Sequence, residues 1–137
     1  MTRATKLYIY DKSDWTDRTQ ANGRFIGDDD VLTIGIDEAG GVKTLVKVFE
    51  NLAANEFKFN RVLFQTHGGS GRIWFGNEAV TAKVLKTQFA SFSKLFPHPT
   101  RIYFDGCNVA EGGDGTDFLL AAGEVFLVLG GGETVGW

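Results

Sequence analysis

Short apolar runs alternate with segments of helical period along this chain, and that alternation restricts the fold more than any other feature. Lys6–Tyr10, Val31–Ile36, Arg61–Thr66 and Thr100–Phe104 read as buried strands. Between the second and third run the period changes. Val42, Leu45, Val46, Phe49, Leu52 and Ala53 follow helical spacing, which predicts an amphipathic helix of about three turns. Leu85, Phe89, Phe92 and Phe96 repeat that spacing and predict a second helix over Glu78–Leu95, stopped by Pro97 and Pro99. Gly115–Leu129 predicts a third helix. It is apolar on nearly every side, so deep burial is expected; its later half reads equally as strand. Ile73–Gly76 looks like a small extension after the loop that carries His67, and Glu133–Trp137 like the start of another strand.

Strands alternating with helices define an α/β fold with a mostly parallel central sheet flanked by helices, a three-layer sandwich. The 137 residues suit one domain, 1–137, with one core. The chain stops at Trp137 on an apparent strand start, so the expectation is a fold incomplete at its C-terminus. The rest would come from a second chain segment or a regulatory partner.

Composition narrows the function classes. At 43% hydrophobic, with 12 Phe, the chain is a packed globular protein rather than a disordered one. Net charge is −3 and Lys and Arg are scattered, which argues against a nucleic-acid partner. No apolar run approaches a membrane span, and Met1–Lys6 lacks the apolar core of a secretory signal. One cysteine excludes an intramolecular disulfide and a multi-cysteine zinc site. The expectation is a cytoplasmic protein with no metal and no cofactor.

Two of the apolar runs carry chemistry. Val62-Leu63-Phe64-Gln65-Thr66 ends at His67-Gly68-Gly69, and Arg101-Ile102-Tyr103-Phe104 ends at Asp105-Gly106-Cys107-Asn108. Parallel neighbours would bring an imidazole and the single thiol to the same sheet edge, the geometry a thiol nucleophile and its base need. In open α/β sheets, sites form beyond the carboxyl ends of the strands.

A strand ending in His-Gly, followed by a strand ending in Asp-Gly-Cys-Asn, resembles the caspase-like cysteine peptidases of clan CD. Within that group the stretch from Phe104 to Gly112 is closest to the bacterial CHAT-like domains. The likeness covers roughly residues 60 to 125. It implies a caspase-like peptidase domain that cuts a protein or peptide substrate through an acyl-enzyme. Cys107 would be the nucleophile and His67 the general base or acid, with the backbone N–H groups of Gly68 and Cys107 as the oxyanion hole. The residue that reads the substrate side chain is not marked; Lys12, Arg18, Arg24, Asp14 and Asp17 offer both charges, and Trp74 could wall the groove. Arg24, Asp14 and Trp74 are the candidate pocket residues.

Plainer readings stand beside these. Cys107 could be an inert small residue and His67 a turn histidine. Asp105 could orient His67, or bond a neighbouring N–H. His98, between two prolines, reads as an exposed loop residue. The glycines at 112, 113 and 115 lack the Gly-Lys-Ser/Thr of a phosphate loop, and Asp28–Asp30 lacks the ligand pattern of a calcium loop. Two rival functions therefore remain: a catalytically inactive caspase-like module that binds proteins, and an unrelated flavodoxin-like binding domain.

Overall fold

The computed structural model describes residues 3–15, 25, 28–37 and 39–136. It is an α/β fold around a five-stranded sheet in which every pairing is parallel. In chain order the elements are β1 (Lys6–Asp11), β2 (Val31–Ile36), α1 (Gly41–Ala54), β3 (Arg61–Gln65), β4 (His67–Gly69), β5 (Arg72–Phe75), β6 (Glu78–Thr81), α2 (Ala82–Gln88), a 3-10 helix (Ala90–Leu95), β7 (Thr100–Asp105), α3 (Gly112–Phe126) and β8 (Gly132–Gly136). The large sheet runs β2-β1-β3-β7-β8, and β4-β5-β6 form a small antiparallel sheet beside it. The mostly parallel sheet expected from the sequence is therefore present.

Period-2 geometry divides the strands between two faces. Leu7 and Ile9, Val62 and Phe64, and Ile102 and Phe104 point into the main core, where α1, the 3-10 helix and α3 cover them. Phe49 of α1 is the hub of that core. Its ring lies 5.4 Å from Phe89, 5.6 Å from Phe92 and 5.9 Å from Phe126. On the other face Tyr8 and Leu63 pack with Phe25 and are fully buried.

The strand order fixes where a site can form. From β2 onward the chain steps across the sheet in one direction, to β3, β7 and β8, whereas β1 to β2 steps the other way. The direction reverses between β1 and β3, and in open α/β sheets ligands commonly bind beyond the carboxyl ends of strands at such a reversal.

Two helices differ from expectation. The segment Glu78–Leu95 is not one helix. Glu78–Thr81 pairs with β5, Arg72 facing Thr81, so cross-strand pairing overrides local helical preference. Thr81 then caps α2 by accepting from Val84 N–H at 3.4 Å, and the chain tightens into the 3-10 helix after Gln88. Glu78 also supports α1, where its Oε1 accepts the otherwise orphaned Val42 N–H of the first turn at 3.1 Å. The third helix spans Gly112–Phe126, not Gly115–Leu129, and it is not buried all round. Phe118, Ala121, Ala122, Val125 and Phe126 face the core, while Leu120 on the opposite side is 60% exposed. Val128 and Leu129 lie beyond the helix and are exposed too.

Candidate functional site

His67 and Cys107 lie at equivalent places just beyond the ends of adjacent strands. Gln65 of β3 is paired with Asp105 of β7, and His67 and Cys107 each follow two residues later. Parallel neighbours are spaced about 4.8 Å apart, so the two chains leave the sheet side by side. They stay in contact beyond it. Thr66 N–H donates to the Asp105 carbonyl at 3.5 Å and Gly71 N–H to the Val109 carbonyl at 3.0 Å; Ser70 Oγ donates to the Glu111 carbonyl at 2.6 Å.

Glycine makes that closeness possible. A Cβ at Gly68 would lie 3.0 Å from the Cys107 carbonyl oxygen and 2.7 Å from Val109 Cγ2. At Gly71, which has a φ of +73°, it would lie 2.5 Å from the Asp114 carbonyl oxygen. Cys107 sits on the turn between β7 and α3, just before Asn108, whose φ is +60°. Its thiol is free and the residue is exposed.

The loop after β1 completes the arrangement. Asp14 Oδ2 pairs with His67 Nε2, and the Trp15 ring lies 5.0 Å from the imidazole, tilted by 56°. An imidazole that donates through Nε2 keeps Nδ1 as its acceptor, the form a general base requires. Trp74 of β5 faces His67 across the small antiparallel sheet and is half-buried.

Beneath the loop lies Asp11, a buried carboxylate. Its Oδ1 accepts from Ser13 N–H at 3.0 Å and from Ser13 Oγ at 2.5 Å, and its Oδ2 accepts from Gly76 N–H at 3.1 Å. Burial alone would push the Asp11 carboxyl up. The Ser13 and Gly76 hydrogen bonds and the field of His67 outweigh it and hold the group below the usual carboxylate range.

Sequence reasoning named His67, Cys107 and Gly68, and the structure brings all three to one edge. Asp14, expected there as a pocket residue, is placed as the carboxylate on His67. Arg24, with Asp17 and Arg18, lies outside the described residues. Trp15 and Asp11 were missed as site residues: Trp15 sits in a polar loop with no periodic signal, and Asp11 is the polar residue that closes β1. Asp105 is buried at the end of β7. Asp30 accepts from Thr5 and from Lys6, which also pairs with Asp28, so part of the Asp28–Asp30 run is engaged in ion pairs. Among the described residues no group of three His, Cys, Asp or Glu is placed to hold a metal ion, and no helix is long and apolar enough to cross a membrane. A cleft of about 750 Å³ lies at the opposite edge of the sheet, lined by Lys6, Arg61, Arg101 and Glu133 at the starts of the strands. It is remote from the thiol and imidazole.

Fold and site together define a parallel α/β domain with a histidine and an exposed cysteine at the carboxyl edge of its sheet. The chain belongs to the family described as a domain of unknown function, DUF4347, whose pattern matches residues 30–126. That span holds both His67 and Cys107; Asp11, Asp14 and Trp15 precede it. No curated protein matches the chain.

Proposed function

We propose that this chain is a cysteine peptidase of the caspase-like class, acting on a protein or peptide through Cys107 and His67. One observation carries the reading: an exposed thiol and a carboxylate-paired imidazole leave neighbouring parallel strands at equivalent positions. His67 Nδ1 takes the thiol proton, and the sulfur attacks the scissile carbonyl, forming a C–S bond. The backbone N–H groups of Gly68 and Cys107 hold the oxyanion. The C–N bond then breaks, the departing amine takes the proton from His67, and water activated by the same imidazole hydrolyses the thioester. Asp14 keeps the ring oriented and stabilises its charged form. A thiol that must stay reduced suits a cytoplasmic location.

A second reading is a caspase-like module that binds proteins without cutting them. It is favoured by the acidic residues after the cysteine, Glu111 and, in the first turn of α3, Asp114, which oppose a thiolate. Digestion of a peptide library by the wild-type protein and by Cys107→Ala separates the two. Cleavage lost in the variant supports the peptidase. Identical digests, together with slow alkylation of Cys107 by iodoacetamide at pH 6–7 that His67→Ala leaves unchanged, overturn it.

A further inference from the structure

Asp11 does more than fill space at the end of β1. It is the C-terminal residue of that strand, and its two carboxylate oxygens face different partners: Oδ1 the Ser13 amide and hydroxyl, Oδ2 the Gly76 amide in the turn between β5 and β6. Its backbone carbonyl accepts from Asp14 N–H at 3.3 Å and Trp15 N–H at 3.1 Å. One residue thus folds the turn that presents Asp14 and Trp15 and also ties that turn to β5, the strand that pairs with the segment bearing His67. The two groups that touch the imidazole and the imidazole itself are referenced to the same buried carboxylate.

We infer that Asp11 is the positioning residue of the site, the group that sets Asp14 and Trp15 against the His67 ring; the functional importance of this rests on the peptidase reading, although the geometry does not. Asp11 does not touch the reacting atoms. Its effect reaches His67 through the turn, and a buried, multiply hydrogen-bonded carboxylate is rigid enough to transmit it.

The test uses proton NMR on the full chain. Trp15 imposes a ring-current shift on the His67 Cε1–H, and His98, the other of the two histidines, serves as the internal control. Asp11→Ala is expected to move the His67 resonance at least half as far as Trp15→Ala moves it, leaving His98 in place. The Asp11→Ala/Trp15→Ala double variant should move it no further than Trp15→Ala alone, because both changes remove one arrangement. Asp11→Asn keeps one acceptor oxygen and should restore part of the shift. A folded Asp11→Ala whose His67 resonance stays at the wild-type position, or shifts that simply add in the double variant, overturns the inference. Should Asp11→Ala fail to fold, Ser13→Ala carries the test: it removes one exposed hydroxyl donor and should move His67 in the same direction, and no movement overturns the inference. Iodoacetamide alkylation of Cys107 is followed in parallel. A loss of about tenfold or more in rate together with the shift supports both readings. A shift without any loss of rate upholds the positioning role and overturns the use of His67 by the thiol.

Discussion

The backbones of Gly68 and Gly106 pack more closely than a side chain on either would ordinarily allow. A Cβ on Gly106 would lie 3.1 Å from both the Cα and the nitrogen of Gly68, and one on Gly68 would lie 3.0 Å from the Gly106 carbonyl carbon. Gly68→Ala would also drive a methyl into the buried Val109. It should cost about 1–3 kcal/mol of stability, read as a lower urea midpoint, and should slow Cys107 alkylation by parting the two chain segments. A fully stable Gly68→Ala would mean that the two segments are held less tightly than these distances require.

The glycines of α3 divide by what surrounds them. A Cβ at Gly115 would lie 2.1 Å from the Ala110 carbonyl carbon, whereas one at Gly123 would meet nothing within 4 Å. Gly123→Ala should therefore stabilise the protein by about 0.5–1 kcal/mol, by restricting the unfolded chain and favouring the helix. Gly115→Ala should do the reverse, because backbone must move. Thermal melts of the pair with opposite signs of change in Tm check this.

Thr66 is buried between Gln65 and His67, and among the described residues its hydroxyl has no hydrogen-bond partner. A buried, unsatisfied hydroxyl is costly, so Thr66→Val should raise stability by about 1 kcal/mol. The urea midpoint is the measurement, and a fall would show that the hydroxyl is satisfied after all.

The dependence of stability on pH has an acid limb and an alkaline limb. Asp11 is held low by the Ser13 and Gly76 hydrogen bonds against the opposing effect of burial; Asp30 is held low by the Thr5 hydroxyl and by Lys6. Both bind fewer protons folded than unfolded near the usual carboxylate value of 3.8. Their contribution is therefore present above that pH and is lost as pH falls through the lowered values. Lys6 is raised above 10.5, chiefly by its hydrogen bond to Asp30; its contribution is present below that pH and is lost as pH rises through the raised value. Asp11→Asn should flatten the acid limb alone, and Asp30→Asn should weaken both limbs. Urea midpoints from pH 2 to pH 11 test the distinction.

β1, β2, β3 and β7 were legible because each is a dense apolar run between polar breaks, and α1 because Val42, Leu45, Phe49 and Leu52 keep one face. Glu78–Thr81 was not, because nothing local in Glu-Ala-Val-Thr says that Arg72–Phe75 lies alongside; tertiary pairing decided it. Phe89 and Phe92, three residues apart, suit a 3-10 turn as well as an α-helix, so their spacing could not place the break after Gln88. Leu120 misled because a mostly apolar helix need not be surrounded. At the site, His67 and Cys107 were marked by the strands that deliver them. Asp14 as the partner of His67 was not, since the contact spans 53 positions of sequence and depends on how the turn after β1 is held.

The β3–β7 pairing also governs when the edge comes into existence. His67 is synthesised well before Cys107, and a long stretch of polypeptide has to loop back before Gln65 can meet Asp105. Distant parallel pairing of this kind is among the slower steps of folding. A growing or half-folded polypeptide therefore carries the two groups on unconnected pieces, and they become neighbours only once the sheet has closed around them.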